Sequence, residues 1–201
     1  MALHAAKKFQ AAGYHLVYCN AEMRLGKRDL VQAGINTSED HFTLIQSSEG
    51  NLLTAEDHIC TLEHLINTRK KHFFIHDSLS AMCSKELAEA DIRDRNRDST
   101  PLLLSRFCKR LQMGALRIND NVYIGITHLM KNQGKDSQFF PLIEGSGTKI
   151  QYAADVKVKI TNSRPWRINA TDKSIAPIGK YIDMKCETSV RDRDWEGFGR
   201  C

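Results

Sequence analysis

His72-Phe73-Phe74-Ile75-His76-Asp77-Ser78 is the stretch that decides the fold. It is short and apolar at its centre, and it ends abruptly in a carboxylate and a hydroxyl. Runs of this kind, rich in β-branched and aromatic residues, predict strands buried on both faces, as in a parallel sheet. Two further runs are built the same way. His15-Leu16-Val17-Tyr18-Cys19-Asn20-Ala21 leads into Glu22, and Val122-Tyr123-Ile124-Gly125-Ile126-Thr127 leads into His128. In an open α/β sheet, ligands collect at the carboxyl ends of the strands. The three endings predict one rim that gathers a carboxylate to orient water, a carboxylate to hold a metal and a polar reporter. Such a layout suits a nucleoside-triphosphatase. The matching phosphate loop, G-x-x-x-x-G-K-[ST], occurs nowhere in the 201 residues.

Helical patterns fill the gaps between these runs. Ala2 to Ala12 predicts a helix stopped by Gly13, and Gly26 to Ala33 a second one ended by Gly34. Phe42-Thr43-Leu44-Ile45-Gln46 is a short strand. Thr54, with Asp57 three residues on, opens a helix whose apolar stripe is Ile59, Leu62 and Ile66. Pro101 suits the first turn of a helix capped by Ser99 or Thr100, with Leu104, Phe107 and Leu111 on its buried side. Residues 129–147 have no clear period and read as a long functional or disordered loop. Beyond it, Val156 to Ile160 and Lys180 to Glu187 alternate as half-exposed strands, separated by a turn at Asn162-Ser163-Arg164-Pro165. The whole predicts an α/β fold: a mainly parallel central sheet flanked by helices, with antiparallel C-terminal strands added to it.

Bulk properties narrow the class. The length suits one domain, 41% of residues are hydrophobic and 26% charged, and Lys plus Arg exceed Asp plus Glu by 29 to 24. The net charge of +5 is compatible with nucleic acid without requiring it. Six cysteines form no C-x-x-C, and no Cys/His spacing suggests a zinc site, so they read as reduced core residues of an intracellular protein. No stretch approaches a membrane span or a signal peptide, which predicts a cytoplasmic protein.

The order of these pieces resembles the core of the RecA family of recombinases, most closely RecA itself and the UvsX-type proteins of phages. The likeness rests on Val17-Tyr18-Cys19-Asn20-Ala21-Glu22, on Phe73 to Ala81, on Gly125-Ile126-Thr127-His128, and on Gly145-Ser146-Gly147 leading to Tyr152-Ala153-Ala154-Asp155-Val156. It spans about Ala2 to Ser189. The resemblance implies a RecA-like P-loop NTPase core, a single domain over residues 1–201 that is incomplete at its N-terminus and also at its C-terminus. It implies ATP and Mg²⁺ as cofactors. It implies single-stranded DNA and homologous duplex DNA as partners, a helical homo-oligomeric filament, and a bacterial or phage-infected cell as the setting.

The resemblance also assigns roles. Glu22 looks like the catalytic carboxylate that orients the attacking water, a decisive position because phosphoryl transfer is mostly positioning and charge stabilisation. Asp77, followed by Ser78, looks like the Walker B aspartate that holds Mg²⁺ through water. His128 stands where the family senses the terminal phosphate, and Lys185 where a basic residue reaches a neighbour's nucleotide. Lys85 to Asp98 matches the first DNA-binding loop, with Arg93, Arg95 and Arg97. Leu129 to Gly147 matches the second, with Lys131 and Lys135 for phosphates and Phe139 or Phe140 for stacking on bases. Plainer readings stand beside these: self-paired charges on a solvated face for the Arg/Asp alternation, and the core of a small lid for the two phenylalanines.

The chain also departs from the pattern. Met1 to Ala6 reads as the helix that follows the phosphate loop in the family, and Gly26 and Asp29 stand where adenine is bound. The expectation is therefore a fragment with weak or no ATP hydrolysis of its own. The alternatives are a degenerate, non-catalytic RecA-like paralogue that regulates a recombinase, and a helicase-like motor on the same core.

Overall fold

The computed structural model describes residues 1–91, 93, 98–131, 142–144, 150, 153–166, 179–189 and 195–200. The chain divides into two compact units, Met1–Ile150 and Gln151–Cys201, where the sequence reading takes 1–201 as one domain.

The first unit is built on a four-stranded, all-parallel sheet. Its strands are β1 (His15–Asn20), β2 (Phe42–Ile45), β3 (His72–Asp77) and β4 (Val122–Gly125), in the order β2-β1-β3-β4. The two central strands are the two longest apolar runs, as burial on both faces requires. Parity then sorts the side chains. Val17, Cys19 and Phe74 face helices α3 (Ala55–Thr68) and α5 (Thr100–Arg110). Leu16, Tyr18, Phe73 and Ile75 face α1 (Ala2–Ala11) and α2 (Lys27–Gln32). Phe73 and Phe74 are both fully buried, on opposite sides of one strand. Each contributes about 1.5–3 kcal/mol of apolar burial, one to each core.

α1 and α2 begin and end, and α3 and α5 begin, within a residue or two of where the sequence predicts. α1 stops before Gly13, which takes φ +85°, a conformation natural only to glycine. At α3, the Thr54 N–H donates to Asp57 Oδ2 (2.8 Å) and the Asp57 N–H returns to Thr54 Oγ1 (3.3 Å), a reciprocal cap. α5 starts at Thr100 with Pro101 in its first turn. The cap there comes from Asp98, whose Oδ1 accepts both the N–H (2.9 Å) and the hydroxyl (2.6 Å) of Thr100. Beyond α5 the segment Leu111–Ala115 kinks at Gly114, which takes φ +102°, and leads into a short helix, α6 (Leu116–Ile118). The predicted exposed segment from Lys85 opens as a short helix, α4 (Lys85–Glu89). The predicted long loop opens and nearly closes as an antiparallel pair, β5 (Leu129–Lys131) with β6 (Leu142–Glu144).

In the second unit, β7 (Val156–Trp166), β8 (Gly179–Ser189) and β9 (Trp195–Arg200) form an antiparallel sheet of their own, in that order. The turn expected at Asn162-Ser163-Arg164-Pro165 is strand instead. These residues pair with Asp183, Ile182, Tyr181 and Lys180 after a register shift between Ile160 and Asn162. A bulge absorbs the irregularity, and among the described residues β7 pairs on one side only, so no second strand calls for the N–H that Pro165 lacks. The alternation of β7 is inverted relative to a strand packed on a core. Val156, Val158 and Ile160 are exposed, while Lys157 and Lys159 are half-buried and ion-paired with Glu187 (2.9 and 3.7 Å). Among the described residues, no helix is long and apolar enough to cross a membrane.

Candidate functional site

β1 and β3 run in register with Asn20 beside Asp77, so the chain leaves both strands at the same level. The pairing continues one step further, since the Glu22 N–H donates to the Asp77 carbonyl at 3.1 Å. The Glu22 carboxylate therefore lies over the turn that follows β3. Ser78 Oγ, fully buried, donates to Glu22 Oε1 at 2.6 Å. His128 Nε2 bonds the same oxygen, and because a carboxylate only accepts, that nitrogen carries a proton. Arg24 Nε approaches the other oxygen, Oε2, at 3.0 Å.

Two serines close this into a ring. The His128 backbone N–H donates to Ser80 Oγ at 3.2 Å. Ser80 Oγ lies 3.2 Å from Ser78 Oγ. Ser78 spends its single proton on Glu22, so Ser80 is the donor between them. The ring begins and ends at His128. It is braced from below, where the Leu79 N–H meets the Ile126 carbonyl (2.8 Å) and the Ile126 N–H meets the His76 carbonyl (3.0 Å). β4 itself ends at Gly125, so His128 belongs to the loop beyond it and more than half of its side chain is exposed.

The electrostatics follow from these donors. The Ser78 hydroxyl, then His128 and Arg24, hold the Glu22 carboxyl below the usual carboxylate range, against the opposing effect of partial burial. Asp77 Oδ2 accepts the phenol of Tyr18 at 2.7 Å. Burial and the Asp77 charge push the Tyr18 hydroxyl up, so it stays a donor. The Asp77–Ser78 peptide bond is cis. Asn20, almost fully buried, donates to the Leu25 carbonyl (2.8 Å) and to Gln46 Oε1 (2.9 Å), which ties the Glu22 loop to the end of β2.

Glu22, Ser78 and His128 are thus brought together, with Asp77 beside them in sequence. Arg93 sits in an exposed turn after α4, its N–H donating to Asp91 Oδ1 (2.9 Å). Lys131 is exposed at the end of β5. Lys185 lies in β8 of the second unit, in register with Lys159 and Glu196. Arg95, Arg97, Lys135, Phe139 and Phe140 lie outside the described residues. At the position of adenine contact in the resembling family, Asp29 is occupied in capping α2, its Oδ2 accepting the Gly26 N–H at 2.8 Å.

Sequence reasoning missed Tyr18, Arg24 and Ser80. It also missed a buried cluster, because it found no metal-like Cys/His spacing. Cys19 Sγ lies 3.0 Å from His58 Nδ1, and His76 stands next to them with Nδ1 3.0 Å from the Tyr123 hydroxyl. Burial, then the Asp77 charge, pushes the Cys19 thiol up to about 12. Burial, then His58, pushes His76 down to about 3. The available signal was parity: Cys19 and His76 hold the same place in two adjacent strands.

Asp77, half-buried at the rim and carrying an ionisable oxygen pair, fits water-mediated Mg²⁺. A triphosphate has no glycine-rich cradle among the residues of this sequence, so those residues do not complete a site for it. Compared with known proteins, the chain matches no protein-family model, and no curated protein matches it significantly. What stands is the class: an α/β unit with a four-stranded parallel sheet, helices on both faces, and a polar ring at its carboxyl edge.

Proposed function

We propose that this chain is the RecA-like core of a DNA-dependent ATPase recombinase, which binds single-stranded DNA and promotes pairing and strand exchange with homologous duplex in a helical filament. The observation that carries the reading is the closed ring of Glu22, Ser78, Ser80 and His128 at the strand ends. In it, an acid suited to orienting water is tied directly to an imidazole on the loop that leads toward 129–147. A change at the acid then shifts the start of that loop, the coupling a DNA-stimulated enzyme needs. Asp77, with Ser78 after it, would hold Mg²⁺, which when bound neutralises phosphate charge. No hydrolytic step is assigned to these residues alone.

The test is fluorescence anisotropy of labelled oligothymidylate with the full chain at low salt. Saturable binding that weakens as salt rises is expected. Arg93→Ala and Lys131→Ala should each weaken it and reduce the salt slope by about one. No saturable binding at the lowest salt overturns the DNA reading.

One observation favours a second reading. Both oxygens of Glu22 are already engaged, Oε1 by Ser78 and His128 and Oε2 by Arg24. A carboxylate whose donors all come from its own protein suits a non-catalytic relative that regulates a recombinase filament. That protein would inhibit strand exchange by an intact recombinase at substoichiometric amounts, whereas a recombinase core would not.

A further inference from the structure

Cys19, His58 and His76 come from three elements, β1, α3 and β3, and meet on the sheet face that α3 covers. Cys19 and His76 are register partners on adjacent parallel strands, so both side chains leave the sheet on the same side. His58 lies on the buried side of α3, beside Ile59 and one turn before Leu62. One ligand-capable atom from each residue lies within 4.8 Å of the other two, and all three residues are buried.

Ordinary core packing leaves this group unfinished. His58 Nδ1 and the Cys19 sulfur face each other at 3.0 Å, and His76 Nδ1 faces the Tyr123 hydroxyl at 3.0 Å. His76 Nε2 is buried with no hydrogen-bond partner. Metal-binding histidines commonly fix one ring nitrogen by an outer hydrogen bond and present the other as a lone pair. With Nδ1–H donating to the Tyr123 oxygen, Nε2 is that lone pair, buried and without a partner.

We propose that Cys19, His58 and His76 bind a single borderline-soft cation, zinc(II) foremost, as an internal site that joins β1, β3 and α3. Thiolate and imidazole are the donors that zinc prefers, whereas Mg²⁺ and Ca²⁺ require oxygen. At bond lengths of about 2.0–2.3 Å and tetrahedral angles, bonded donor atoms stand about 3.3–3.7 Å apart. A spread of up to 4.8 Å therefore closes by about an ångström on binding, while the 3.0 Å Cys19–His58 pair opens by about half an ångström, both within the reach of side-chain rotation. The thiol proton leaves to solvent as the Cys19 sulfur becomes a ligand. Three protein donors leave one position for a small exogenous ligand. The site does not depend on the recombinase reading, since none of its three residues belongs to the polar ring.

The experiment uses the full chain carrying Cys60→Ser, Cys83→Ser and Cys201→Ser, stripped with chelator and titrated with Co²⁺. One equivalent should give a thiolate-to-cobalt charge-transfer band and visible bands of a tetrahedral site, both displaced by Zn²⁺. Zn²⁺ should also raise the thermal midpoint. Cys19→Val, checked for folding by circular dichroism, should lose the band. Absence of a stoichiometric band, or its persistence in folded Cys19→Val, overturns the proposal. Should Cys19→Val not fold, Cys108→Ser and Cys186→Ser decide: retention of the band in both supports Cys19 as the ligand, and loss in either overturns it.

Discussion

Glu22 sits at the edge of a sheet but has the partners of an interior carboxylate. Its side chain is about nine-tenths covered, and hydroxyl, imidazole and guanidinium all point at it. Hydrogen bonds to a charged group typically contribute about 1.5–3 kcal/mol. Glu22→Gln should therefore destabilise the first unit by about 1–2 kcal/mol at neutral pH, the lower figure reflecting the exposed Arg24 partner. The folded pKa is depressed, so the stabilisation is complete above the ordinary carboxylate range and is lost as pH falls through the folded value. The gap between wild type and variant should close on acidification, measured as urea midpoints across an acid series. A gap independent of pH would show that shape, not charge, is at stake. This residue was legible in the sequence because an apolar run stops at it, as one also stops at Asp77. Tyr18 was not, because a phenol inside an apolar run looks like core until its partner is known. Cys19, His58 and His76 were not, because separations of 39 and 18 residues carry no periodic signal.

At the level of elements, local chemistry predicted the helix starts and the parallel central strands, and missed the short or bulged antiparallel ones. The reciprocal cap of Thr54 and Asp57 is one such local device, complete within four residues. Thr54→Ala should cost about 1 kcal/mol in chemical denaturation. The loss should be felt on α3 as a whole, since the helix carries Ile59, Leu62 and Ile66 into the core. An unchanged midpoint would mean that packing alone sets where α3 starts. By contrast, β5 and β6 are three residues each, too short for alternation to announce them. Asn162-Ser163-Arg164-Pro165 has the composition of a turn, and only its place in a bulged strand with one neighbour makes it extended. The same limit applies at β4. Its apolar run continues to Thr127, but the ladder with β3 ends at the His76–Gly125 pair, whose last bond runs from the Ile126 N–H to the His76 carbonyl.

On the scale of the whole molecule, the apolar burial of the described residues is concentrated in the first unit. Both apolar cores draw all their members from it, and among the described residues Cys186 is the one buried hydrophobic residue of the second. A unit with its own core can fold alone. Residues 1–150, expressed by themselves, should unfold cooperatively with a thermal midpoint close to that of the full chain. A non-cooperative or strongly lowered transition would show that the second unit is needed to hold the sheet. The exposed Val156, Val158 and Ile160 of β7 matter for a different reason. Sulfate and similar excluded salts strengthen association between such stripes, while chloride mainly screens charge. A salt titration in ammonium sulfate would therefore mix self-association of the protein with any loss of oligonucleotide affinity. Done in sodium chloride, it would report the phosphate contacts alone.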